Sequence, residues 1–115
     1  MSSPKSKKGP EVPVSEAINL LNLISYQEGS VVSRTIVSRD TGNVTLFAFD
    51  ETQGLSEHTA PFDALVQVLE GEVEVAVDSK PLRGKPGDIV LMPAHHPHAL
   101  KAITKFKMLL TMIRS

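Results

Sequence analysis

Valines 73, 75 and 77 alternate with Glu72, Glu74 and Ala76, and a period of two puts one face of a strand in a core and the other in water. The same β-branched and aromatic character recurs at 31–37, 43–49, 64–69, 88–92, 98–103 and 106–113. Asp40-Thr41-Gly42, Glu70-Gly71, the 84–87 stretch and Pro93 supply turn chemistry between the runs. Eight or so short strands with no helical run in the body predict an all-β sandwich or small barrel.

With 115 residues there is room for one core and not two. Residues 1–12, rich in lysine, serine and proline, read as a flexible tail, and residues 13–115 as one domain. The apolar spacing over 14–24 suits either a short helix or an extended lead-in. The chain has no cysteine, which excludes disulfides and thiolate metal sites and predicts a cytoplasmic setting. A net charge of -1 with scattered cations gives no footprint for nucleic acid. No apolar run reaches the roughly 18 to 20 residues of a membrane span, so no membrane partner is expected.

All four histidines, His58, His95, His96 and His98, fall in two short segments. Both lie where a strand-rich chain turns, so the fold can bring them together. Around them, residues 54–60 and 64–71 resemble the first motif of the cupin superfamily, and residues 87–98, from Gly87-Asp88 through Pro93 to His98, resemble its second. The resemblance covers about residues 31–113 and implies a small single-domain cupin, a jelly-roll β-barrel whose mouth holds a small molecule or a metal, commonly as a homodimer.

In that family three histidines and a glutamate usually hold the metal. Carried across by position, the resemblance implies His58 and His98 as ligands, while Ala60 and Ala64 stand where a histidine and the glutamate would be, and Ala102 replaces a frequent asparagine. The metal it implies, where one is held, is divalent: zinc, nickel, manganese or iron. His96 or His95 is the candidate third ligand, although turn residues face solvent by default and position 95 favours a positive φ. Glu57 has the wrong parity to share the face of His58 on a regular strand.

The resulting pocket comprises His58, Ala60, Phe62, Ala64, Val66 and His98, with the two alanines widening it and Phe62 beside its rim. Gln67, Leu65 and Leu69 alternate outward, which predicts self-association, whereas Phe106, Met108, Leu110 and Met112 share a core-facing stripe. No nucleophile and base pair is visible in the spacing. Two functions follow: a protein that binds a small molecule in the barrel mouth, or a metal-dependent isomerase, lyase or oxygenase acting on a small polar substrate. No catalytic residue is assigned.

Overall fold

The computed structural model describes residues 9–115, with side chains from residue 11. The strands, in chain order, are β1 (Gly9–Pro10), β2 (Val31–Arg39), β3 (Gly42–Phe49), β4 (Gly54–His58), β5 (Phe62–Glu70), β6 (Val73–Val77), β7 (Lys80–Gly84), β8 (Ile89–Met92), β9 (His98–Ala102) and β10 (Phe106–Arg114). They form a six-stranded sheet in the order β1-β2-β3-β10-β5-β8 and a four-stranded sheet in the order β4-β9-β6-β7. All pairings are antiparallel. This is the all-β architecture expected from the strand pattern, and the jelly-roll barrel that the resemblance implies.

Alternation decides what each strand buries. In β5, Ala64, Val66 and Val68 point inward and are sealed from solvent. They join Phe49, Val73, Val75, Met92, Leu100, Phe106, Met108 and Leu110 in one core between the sheets. The stripe expected on the last strand therefore faces the core. The rings of Phe49 and Phe106 stand 5.2 Å apart at 37°, a tilted contact that adds quadrupole attraction to buried area.

The outer face of the six-stranded sheet carries a second cluster. A 3-10 turn, Leu20–Leu23, followed by Ile24 and Tyr26, straps across Leu46, Ala48, Leu69 and Leu109. Asn19 caps the turn by accepting from the Leu21 amide. Under the strap, Lys107 is 8% exposed although it points outward. Its ammonium donates to the Leu21 carbonyl at 3.0 Å and lies 5.1 Å from the centre of the Tyr26 ring, so the alkyl stem is buried while the head keeps polar partners. Tyr26 in turn donates to the Glu70 carboxylate at 2.7 Å. The lead-in is thus one 3-10 turn within irregular chain, and it covers Leu69, which sequence parity had left wet.

Three local features depart from the sequence expectations. β7 falls in a stretch to which the strand pattern assigns no element, and it ends on Gly84 of the expected turn. It is an edge strand joined to β6 through Asp78 and Ser79, both at positive φ (52° and 66°), and Pro81 is tolerated because an edge strand need not donate outward. β4 is not regular: Leu55 pairs with Leu100 and His58 with His98, three residues against two, a bulge that inserts one residue. As for the tail, residues 1–8 lie outside the described residues, while Gly9–Pro10 pair with Val37 and Ser38.

Candidate histidine site at the barrel mouth

The β4 bulge and the β9 register set the geometry. His58 and His98 are directly opposite each other, and cross-strand partners in an antiparallel pair project to the same face. Their rings meet edge to face, centroids 4.4 Å apart at 69°. On the other side of β9, His98 is registered against Val77 of β6. His98 is 5% exposed, whereas His58 is open to solvent. The pair therefore has one buried and one accessible imidazole.

Each ring is anchored the same way. The Nδ1 of His58 lies 2.8 Å from the Ser56 carbonyl, and the Nδ1 of His98 lies 3.2 Å from the His96 carbonyl. A carbonyl can only accept, so each neutral ring carries its proton on Nδ1 and leaves Nε2 with a free lone pair. Burial pushes the pKa of His98 below its ordinary value, opposed by the bond to His96 and reinforced by the neighbouring His58. The buried ring is accordingly held neutral and able to accept a hydrogen bond or donate to a cation.

The remaining expected site residues are placed differently from one another. Ala60 and Phe62 are partly exposed, and the Arg114 guanidinium stacks over the Phe62 ring at 5.0 Å. Ala64 and Val66, at 3% and 0% exposure, form core rather than open wall. The expectation that two alanines widen the lumen fails at Ala64 for a physical reason. Met92 and Met112 flank it in register on β8 and β10, and flexible thioether chains fill what a small residue vacates.

His95 sits in the turn at φ 68°, exposed, its amide bound to the Ala60 carbonyl; the positive φ is the one expected at that position. His96 is also exposed, but its Nδ1 donates to the Asp78 carboxylate at 2.8 Å. Asp78 was missed because it lies 18 residues from His96 and only the β6–β7 turn brings it close. Among the described residues no group of three or more histidines, aspartates or glutamates is arranged to hold a metal. Two imidazole donors do not complete a resident site for zinc, nickel, manganese or iron, each of which ordinarily takes about three protein ligands.

A cavity of about 250 Å³ lies elsewhere, against the β2–β3 hairpin and β10, lined by Val37, Arg39, Val44, Thr111 and Ile113 among others. It contains none of the histidines. Among the described residues no helix is long and apolar enough to cross a membrane.

A family model described as "Cupin domain" matches residues 45–114. The chain is similar to a conserved protein of unknown function from Streptococcus pyogenes, at 30% identity and TM-score 0.89, covering 95% of this chain and 96% of that one. It is also similar to a cupin superfamily protein from Desulfitobacterium hafniense, at 28% identity and TM-score 0.87, over 95% and 100% of the two chains. A cupin 2 conserved barrel domain protein from Leptotrichia buccalis shares 40% identity at TM-score 0.82, over 84% of this chain and 47% of that one. Nothing among curated proteins matches the chain.

Proposed function

Because the chain belongs to the cupin family, we propose that it binds a small molecule at the barrel mouth, recognised by the Nε2 lone pairs of His58 and His98. The observation that carries this reading is the pair of Nδ1 to carbonyl bonds, which fixes both rings with a free acceptor on the same face of the barrel. An imidazole with its proton on Nδ1 can only accept at Nε2. The fitting ligand therefore presents a hydroxyl, amide or ammonium donor. Ala60 and Phe62 would contact its apolar part, with Arg114 at the rim and Ala64 and Val66 beneath.

The second reading is a metal-dependent enzyme of isomerase, lyase or oxygenase type, with His58 and His98 as ligands and His96 or His95 as a third. Carbonyl anchoring of the far ring nitrogen is common among metal-bound histidines, which favours it; the missing donors count against it. A cation would depend on donors brought by its own ligand, and no catalytic step is assigned.

Elemental analysis of protein purified without an affinity tag separates the two. Substoichiometric zinc, nickel, manganese and iron, with saturable shifts of the His58 and His98 ring nitrogens on titration with small polyols or amino acids, is the expected result. Stoichiometric metal lost in His98→Ala would replace the first reading by the second, and ring nitrogens indifferent to every such probe and to metal would refute both.

The apolar strip of Leu65, Ile89, Leu91 and Ile113 supports a homodimer. Ile89, Leu91 and Ile113 are 63%, 63% and 59% exposed, and Leu65 is registered against Leu91, so this face leaves large apolar side chains in water that a second copy would cover. Sedimentation as a monomer at micromolar concentration would refute this assembly. The lack of cysteine supports a cytoplasmic location.

A further inference from the structure

The turn before His98 is pinned from three directions. The Ala94 amide donates to the Asp63 carboxylate at 2.9 Å and the His95 amide to the Ala60 carbonyl at 2.8 Å. On the far side, Asp78 makes two contacts: its carboxylate accepts from His96 Nδ1 at 2.8 Å, and its amide donates to the Pro97 carbonyl at 2.9 Å. The carbonyl lying between those two anchors is that of His96. That carbonyl is the one accepting from His98 Nδ1.

We infer that Asp78 and His96 are positioning residues for His98: Asp78 grips the His96 ring and the Pro97 carbonyl, thereby aiming the His96 carbonyl that fixes the His98 tautomer. The inference rests on the reading of the Nε2 lone pairs as the ligand-facing groups. It gives His96 a task other than metal ligation, since the ring faces away to Asp78 while the backbone serves the site. Backbone strain is concentrated here. Asp78, Ser79 and His95 all hold positive φ without being glycine, a conformation that persists only where surrounding contacts enforce it.

Two roles for Asp78 must be separated, the left-handed backbone of the turn and the carboxylate that holds His96. Asp78→Gly keeps the first and removes the second. Asp78→Asn keeps both, because asparagine tolerates left-handed φ and its side-chain carbonyl still accepts from His96. The experiment is long-range proton–nitrogen correlation of the imidazoles in uniformly labelled full-length protein near pH 8, read alongside competition titration with zinc.

In the wild type and in Asp78→Asn, His98 should be a single tautomer with the proton on Nδ1. In Asp78→Gly and in His96→Phe it should become a mixture of the two tautomers, and any zinc affinity should fall about tenfold, as for other losses of support behind a ligand. A wild-type tautomer persisting in both Asp78→Gly and His96→Phe would overturn the inference. Failure of the wild type to bind zinc or any small ligand would instead overturn the functional reading, with the tautomer measurement still deciding the role of Asp78.

Discussion

Replacing Gly71 by alanine should cost far more than the same change at Gly87, although both glycines hold a positive φ, +78° and +95°. At Gly87 a Cβ would meet nothing within 4 Å, so only the left-handed penalty applies. That is about 1 to 2 kcal/mol, partly offset by the reduced entropy of the unfolded chain, for a net cost near ~1 kcal/mol. At Gly71 the added carbon would strike the Lys105 carbonyl, with the carbonyl carbon at 2.8 Å and the Phe106 Cα at 2.9 Å. These are backbone atoms leading into β10, which is paired on both sides, so they cannot yield without disturbing the six-stranded sheet. Overpacking of that kind adds about 1 to 3 kcal/mol, for a total near ~3 kcal/mol. At roughly 4 °C per kcal/mol for a domain of this size, the expected melting temperatures fall by about 12 °C for Gly71→Ala and about 4 °C for Gly87→Ala. Urea unfolding followed by circular dichroism gives the free energies directly. Equal costs within about 0.5 kcal/mol would show that the β5–β6 turn relaxes away from Lys105, contrary to the packing described.

The buried histidine gives a pH signature. Because the folded pKa of His98 lies below the ordinary 6.5, the unfolded chain takes up its proton first as pH falls, and stability contributed by the neutral ring is complete above 6.5 and declines as pH drops toward the folded value. His98→Asn should flatten this part of the stability profile measured by urea unfolding between pH 7 and 5; an unchanged slope would mean that the ring does not resist protonation. Tyr26→Phe removes the donor to the Glu70 carboxylate and should cost about 1.5 kcal/mol, with faster amide exchange confined to residues 19–27; a cost below about 0.3 kcal/mol would show that apolar contacts alone hold the strap.

Strand alternation made much of this molecule legible. Val73 and Val75 face the core and Gln67 faces out, as their spacing demands, and the resemblance of the two motifs to those of cupins implies that His58 and His98 meet. What could not be read depended on contacts distant in sequence. Leu69 looked wet because the residues that cover it, 20–26, lie more than forty positions away and carry no strong periodicity. β7 was hidden by Pro81 and by a turn built from Asp78 and Ser79 rather than from asparagine and glycine. The burial of Ala64 depends on Met92 and Met112 flanking it in register, and two methionines in different strands announce nothing about each other. The partnership of Asp78 with His96 is of the same kind.

The bulge in β4 has a consequence for insertions and deletions. A chain one residue shorter between Leu55 and His58 would restore a two-for-two ladder and leave His58 opposite His98. The extra residue leaves the Ser56 carbonyl out of register with β9, and that oxygen is the one His58 Nδ1 reaches. A single-codon gain in this segment therefore changes neither which histidines meet nor the face they occupy. What the longer segment carries is the Ser56 carbonyl that anchors His58 Nδ1, so segment length and the tautomer of the accessible imidazole are linked.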